Sequence, residues 1–377
     1  MHMLYIHIPF CQQRCIYCDF YSTTHATTHI DAYIQSLTRE MEQRREEIPS
    51  PTLHSVYIGG GTPSLLSSAQ IRAIFHAVRS NFTIATDAEI TVEANPDDVS
   101  PALLATLLRE GVNRISMGVQ TFDNATLTLL RRRHTGAQAT EAVRLCHTMG
   151  IPHISIDLIY QLPHQTLQSW ADDVRKALSL PIDHLSAYAL TVEEQTPLHH
   201  MLKQRAFTLP TDELACDMFQ HLCTETARSG FEHYEISNFC RPGCHSRHNS
   251  GYWSFKPYLG LGPSAHSFDG KNRAANPPSL RAYLAAQGTP TRQIEHLTPA
   301  EQCNDFVHTS LRTSSGLNLE ALAERFGAPI AEQITAWAQP HISARRLRHT
   351  GDGLTLTQAG IMLANDVISD LMIIEEG

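Results

Sequence analysis

The sequence contains no unbroken apolar run of the roughly 18 residues that a membrane-spanning helix needs, so none is predicted. A basic excess is also missing: 29 Lys and Arg stand against 38 Asp and Glu, for a formal charge of −9. Without that electrostatic footprint, nucleic acid is set aside as a default partner. The first residues lack the profile of a secretory leader, because His2, His7 and Pro9 interrupt the apolar stretch and no small-residue cleavage site follows. Internal repeats and low-complexity segments are absent too. What is present is ordinary for a globular chain: 377 residues, 42% hydrophobic and 18% charged, enough for one large domain and a smaller one. Nine cysteines without a leader argue for a reducing compartment, where thiols serve metals or chemistry rather than disulfides. The expected location is the cytoplasm. The 22 histidines supply further potential ligands, although most belong to surfaces or packing.

Up to about residue 190, short apolar strands alternate with amphipathic helices. Strands are predicted at Leu4–Ile8, Ser55–Ile58, Glu89–Val92, Arg114–Met117, His153–Leu158 and His184–Tyr188. Helices are predicted between them at Ile30–Arg44, Ser68–Ser80, Pro101–Glu110, Ala137–Met149 and Leu167–Leu178. This alternation builds an α/β fold with a parallel sheet. Six units suit an incomplete (β/α)6 barrel, whose active residues would sit at the C-terminal strand ends. Residues 1–190 form this core. Residues 191–296 are less regular and form an extension. Residues 297–377 form a smaller, mainly helical domain, with helices at Glu301–Leu311, Leu319–Phe326 and Gln358–Leu371 and a hairpin within Ile342–Leu356 turning at Thr350–Gly353. Helices with a small hairpin resemble a winged-helix module, but the negative charge argues against DNA binding.

Cys11, Cys15 and Cys18 follow the first strand at spacings of four and three. Three thiolates on one short loop can hold three corners of a [4Fe–4S] cubane, for which soft sulfur ligands are suited. The fourth iron then lacks a protein ligand and can chelate S-adenosylmethionine through its amino and carboxylate groups, for reductive cleavage to a 5′-deoxyadenosyl radical. The alternatives are three buried cysteines or a zinc site, but Asp19-Phe20-Tyr21 supplies a carboxylate at best as fourth ligand. Tyr17, inside the loop, suits either a lid over the cofactor or simple packing.

The string Tyr5-Ile6-His7-Ile8-Pro9-Phe10-Cys11, with Cys15, Tyr17 and Cys18, resembles the opening of the radical SAM proteins related to oxygen-independent coproporphyrinogen III oxidase. The likeness runs over nearly the whole chain, through Gly59–Ser64, Glu93, Gly118–Phe122, Asp157–Pro163 and His248–Trp253. Within that family the chain looks more like the haem-chaperone branch than the oxidase branch. The oxidases carry a further cysteine two residues after the third, where Phe20 stands here, and the His-Asn-x-x-Tyr-Trp run is chaperone-like. Two positions depart from the common pattern: Gln161 and Arg131 stand where relatives often have Gly, which bears on local loop shape.

The resemblance implies a set of cofactor residues, and each has a physical rationale. Gly60, Gly61 and Thr62 follow the second strand, where the backbone can approach the methionine moiety closely. Glu93, at the end of the third strand, could accept from ribose hydroxyls or the amino group. Gln120 ends the fourth strand. Arg132 follows a short helix and could hold a carboxylate by two hydrogen bonds, although Arg131 and Arg133 beside it also permit a solvated basic run. Asp157 lies among apolar neighbours and needs a partner. Tyr5 matches a cofactor-contacting position, with a core aromatic as the alternative.

The family further implies a tetrapyrrole, as substrate for the oxidase or as haem cargo for the chaperone. His248, Tyr252 and Trp253 could offer an axial ligand and a flat apolar surface, or His248 could simply orient its loop. Cys240, Cys244 and His245 form a second possible metal cluster, read here as bland because three ligands on one loop lack a fourth. The implied partners are haem or porphyrin and haem-acceptor proteins such as membrane respiratory enzymes, with a homodimer as one possible state. Radical modification of haem is a third, weaker reading. Turnover is left open.

Overall fold

The protein is described as a computed structural model covering residues 2–374, apart from His25 and Pro49. Six strands carry the fold: β1 (Met3–Ile8), β2 (Thr52–Gly60), β3 (Thr83–Ala94), β4 (Arg114–Gln120), β5 (His153–Tyr160) and β6 (His184–Ala189). Each pairs in parallel with the next. The connections contain the helices Ile30–Arg44, Ser68–Asn81, Pro101–Arg109, Asn124–Leu129, Gly136–Thr148 and Leu167–Leu178. This is the expected parallel α/β arrangement, in chain order and without strand interchange.

Local sequence explains why the helices start where they do. Ser67 with Gln70, Thr135 with Gln138, Thr166 with Ser169 and Thr298 with Glu301 each form a reciprocal capping box. Such a box satisfies two backbone donors at a helix start. The helices Ile30–Arg44, Leu167–Leu178 and Leu319–Phe326 have the predicted limits. The strands run longer than predicted, β3 by six residues at its start. Its first half, Thr83–Asp87, is exposed or half-buried and so lacks an apolar signature.

Residues 191–296 are more ordered than their irregular sequence suggests. They hold the helix Asp212–Arg228 and the strands β7 (Glu232–Glu235), β8 (Asn238–Cys240), β9 (Tyr258–Leu261), β10 (His266–Phe268), β11 (Asn272–Ala275) and β12 (Gln293–His296). These extend the sheet at both edges, giving the order β12-β11-β10-β9-β1-β2-β3-β4-β5-β6-β8-β7. The sheet is therefore open, with β12 and β7 at its edges. Strands of three or four residues are too short for side-chain alternation to reveal.

The buried Glu40 ties this extension to the first helix. Its carboxylate accepts from Arg44 Nη1 at 2.7 Å, Gly262 N at 2.8 Å, Asn276 Nδ2 at 2.7 Å and the Tyr283 hydroxyl at 2.7 Å. A second core gathers Val307, Leu311, Leu317, Leu322, Ile334, Leu347, Leu354 and Val367 around a three-stranded sheet. That sheet consists of β13 (Leu317–Asn318), β14 (Leu347–Thr350) and β15 (Gly353–Leu356). Two expectations are corrected here. The hairpin begins only at Leu347, because Ala328–Ser343 is a helix that carries Pro340 near its end. The expected helix Gln358–Leu371 is two helices, Gln358–Met362 and Ala364–Ser369, separated at Leu363 (φ −116°, ψ 25°).

Candidate functional site

The parallel strands end on a cavity of about 510 Å³, within the range of small-molecule sites. Its walls include Cys11, Cys15, Tyr17, Cys18, Gly60, Gly61, Thr62, Glu93, Gln120, Arg132 and Asp157. The fold thus brings together eleven of the residues singled out in the sequence. Tyr5 and His248 are not among the lining residues.

The cysteine loop is pinned at several points. Cys11 N donates to Thr23 O at 3.0 Å, Ile16 N to Leu130 O at 3.3 Å, and Leu198 N to Ile16 O at 2.9 Å. Arg14 Nη2 donates to Cys18 O at 3.2 Å. Thr62 Oγ1 lies 3.4 Å from Cys11 Sγ, and Arg132 Nη1 lies 3.3 Å from Cys15 Sγ. Burial first, with the neighbouring Cys15 and Cys11 adding to it, pushes the Cys18 thiol up to about 11.

The glycine run is required by contact. Gly60 has φ +107°, and a Cβ there would lie 2.6 Å from the His7 ring. At Gly61 a Cβ would lie 2.7 Å from Phe10 O and 3.1 Å from Cys11 Sγ. The amides of both glycines are already engaged, with Glu93 Oε2 at 3.0 Å and Ile8 O at 2.7 Å. Neither amide nitrogen is therefore free to meet a ligand in the cavity.

Glu93 also accepts from the Tyr57 hydroxyl at 2.8 Å. Burial raises its carboxyl to about 7, against those two hydrogen bonds, and the charge of Asp157 adds to the rise. Asp157 is raised to about 6, first by burial. The partner predicted for it proves to be a hydroxyl: Ser116 Oγ lies 3.4 Å from Oδ1. Two acids with raised pKa values thus face one cavity, where a cationic ligand would favour their charged forms.

Among the three consecutive arginines the structure distinguishes roles. Arg133 pairs with Asp97 and Asp98, both at 2.8 Å, and also contacts Gln12. Arg131 takes φ +56° and is exposed. Arg132 alone lines the cavity, donating to Asn95 Oδ1 at 2.8 Å and Gly118 O at 2.5 Å. Its buried Nε has no partner.

His248 differs from the reading of it as an axial ligand. The ring is buried, with Nδ1 2.9 Å from Ser55 Oγ and Nε2 2.8 Å from the Tyr252 hydroxyl. Both nitrogens are occupied, and burial lowers its pKa to about 3. It orients its helix and has no ring nitrogen free for iron. Tyr5 stands behind the wall, its hydroxyl 3.0 Å from His7 Nδ1. Sequence reasoning passed over Tyr57, Asn95 and Tyr188, all of which line the cavity. Tyr188 lies near the end of β6, so the strand-end rule that found Gln120 would have found it.

The residues fit an iron–sulfur group better than one zinc ion. Among the described residues, one trio of ligand atoms lies within 4.8 Å of one another, and it is His153, Asp183 and Cys244 rather than the cysteine triad. A tetrahedral zinc with bonds of about 2.3 Å would draw its sulfurs to within about 4 Å. The triad is spread wider, as three corners of a cubane require.

Residues 5–177 match the Radical SAM superfamily, and residues 297–363 match the HemN C-terminal domain. The chain is 35% identical over 374 residues to the heme chaperone HemW of Lactococcus lactis, covering 98% of this chain and 97% of that one. It is 33% identical to HemW of Bacillus subtilis, covering 97% and 98% respectively. Among solved structures it is similar to coproporphyrinogen III oxidase (HemN) from Escherichia coli, described as a radical SAM enzyme, with a TM-score of 0.85. That match has 25% identity and covers 98% of this chain and 90% of that one. With similarity of this extent over its whole length, the chain belongs to the radical SAM superfamily and, within it, to the HemW family.

Proposed function

We propose that this protein is a haem chaperone that holds a [4Fe–4S] cluster through Cys11, Cys15 and Cys18 and binds S-adenosylmethionine in the adjoining cavity. The cluster, when bound, supplies an electron for reductive cleavage of S-adenosylmethionine. The chain's own residues bind and orient. Gly60, Gly61 and Thr62 shape the wall beside Cys11 and would let the backbone approach the ligand's ammonium end closely. Glu93 and Asp157 offset positive charge or accept from its hydroxyls. Arg132 steadies Cys15 from the far wall. Tyr17 covers the loop, and Gln120 completes the rim.

The observation that carries the haem reading is Phe20, two residues past Cys18, where the oxidase branch has a further cysteine. Its ring is 65% exposed and lines the cavity mouth, as does the 43%-exposed Tyr188. Two exposed aromatic faces suit a flat apolar macrocycle. Full-length similarity to HemW supports the same cargo. The recipients would be haem-requiring respiratory proteins, the location cytoplasmic, and a homodimer the working oligomer.

The test is anaerobic titration of the reconstituted protein with haemin. A Soret shift, transfer of haem to an apo-acceptor, and weakening of both in Phe20→Ser are expected; no shift and no transfer would refute the chaperone reading. Fold similarity to the oxidase favours a second reading, radical decarboxylation of coproporphyrinogen III. Protoporphyrinogen formed by the same preparation with S-adenosylmethionine and reductant would establish it.

A further inference from the structure

We infer a second metal site, at the opposite end of the sheet from the cysteine triad, built from His153, Asp183 and Cys244. Their ligand atoms lie within 4.8 Å of one another, and no other such trio occurs among the described residues. The donors come from three places. His153 opens β5, Asp183 immediately precedes β6, and Cys244 lies in the loop after β8. All three sit at the end of the sheet where β5 and β6 begin and the antiparallel β8 ends, and none lines the cavity described above.

The site is positioned by backbone bonds rather than by chance proximity of flexible side chains. His153 N donates to Asn113 O at 3.0 Å, and Asp183 N to Ile154 O at 3.2 Å. Asp183 Oδ1 accepts from Ile154 N at 3.0 Å, which turns Oδ2 onto His153 Nδ1. The Asp183 carbonyl holds Arg241 N at 2.8 Å, and Arg241 O holds Cys244 N at 2.9 Å. The Cys244 carbonyl is clamped by Arg114 Nη2 at 2.7 Å, and Arg114 is itself fixed by the buried Glu89 at 3.0 Å. The loop carrying the thiol is therefore locked against the two strands carrying the other donors.

An imidazole, a carboxylate and a thiolate form the mixed donor set that zinc and similar divalent ions prefer. The metal would bind His153 through Nδ1 as the neutral imidazole with its proton on Nε2, beside Asp183 Oδ2, and the Cys244 thiol proton would leave to solvent. The His153 side chain is 40% exposed, so water can complete the coordination. Cys240 is fully buried and His245 stacks on Tyr234, so neither takes part. The ion would staple the loop leading into the helix Arg247–Trp253 to the base of the sheet. This inference is independent of haem or cluster binding.

The test uses cobalt(II) as a spectroscopic stand-in for zinc. The full chain with Cys11→Ser, Cys15→Ser and Cys18→Ser is titrated anaerobically. Uptake of about one equivalent with a thiolate-to-cobalt charge-transfer band, displaced by zinc, is expected. Adding Cys244→Ser removes the band, and adding His153→Asn weakens uptake roughly tenfold or more. Metal analysis of the zinc-loaded, otherwise unchanged chain against its Cys244→Ser variant reads the same difference of about one equivalent, should the triple variant fold poorly. Equal metal content and unchanged spectra on loss of Cys244 would overturn the site.

Discussion

Glu93 has a folded pKa near 7, against an ordinary value of 4.5, chiefly because it is buried. Between about pH 4.5 and 7 the folded chain holds a proton there that the unfolded chain has released, so the group's contribution to stability falls as pH rises through that window. Glu93→Gln should therefore lessen the loss of stability between about pH 5 and 7.5, read from urea midpoints. Asp157, Asp173 and Glu235 are shifted in the same sense, so part of the slope remains. A full wild-type slope in the variant would contradict a buried, proton-holding Glu93. Gln161 and Arg131 show a different residue-scale effect, with φ of +66° and +56°. Side chains other than Gly take this conformation at a cost of about 1–2 kcal/mol. Gln161→Gly is expected to raise stability by about 0.5–1 kcal/mol after the added freedom of the unfolded chain is counted; a lower chemical-denaturation midpoint would rule this out. The departures from glycine noticed in the sequence are thus places where the backbone itself is strained.

At the scale of elements, Glu40 is the main fastening between the first helix and the sheet extension. One carboxylate accepts from a guanidinium, an amide nitrogen, a side-chain amide and a phenol, all within 2.8 Å. Removing it leaves Arg44 without its main buried partner, since the carboxylate and arginine form an i,i+4 pair with side-chain exposures of 0% and 7%. Glu40→Ala should cost about 3–5 kcal/mol, with early loss of protection in the amides of Leu259–Leu261 by hydrogen exchange. Uniform loss across the chain would place the fastening elsewhere. Helix limits were legible because capping signals are local and the apolar period is long. The short strands β7 to β12 were not, since their pairing is set by neighbours distant in sequence. The helix Ala328–Ser343 was missed because Pro340 reads as a breaker, although near the helix end it removes little.

Across the whole molecule, burial divides among a small cluster around Ile16, Leu162 and Phe207 and two larger cores, one around the parallel sheet and one around β13, β14 and β15. The two larger cores meet through few backbone contacts, among them Ile236 N to Arg312 O at 2.9 Å and the bridge between Glu235 and Thr313. Leu354 is fully buried in the second core. Leu354→Ala should cost about 2–5 kcal/mol and split thermal unfolding into two transitions, the earlier one opening residues 297–374 to trypsin. A single shifted transition would show that the cores unfold as one. S-adenosylmethionine at about 100 times its dissociation constant should stabilise the sheet-bearing part by about 2.7 kcal/mol and leave the early transition in place.

The amino-acid sequence by itself determined the cysteine triad, its placement after the first strand, and the strand–helix alternation. These depend on spacing and local period, which the chain carries within a few residues. Only the tertiary structure decided that Asp157 is met by hydroxyls, that His248 is locked between Ser55 and Tyr252, and that Cys244 faces His153 and Asp183 instead of His245. Each of those outcomes joins residues about 40 to 190 apart in the chain, and only packing of the sheet brings such groups within hydrogen-bond range.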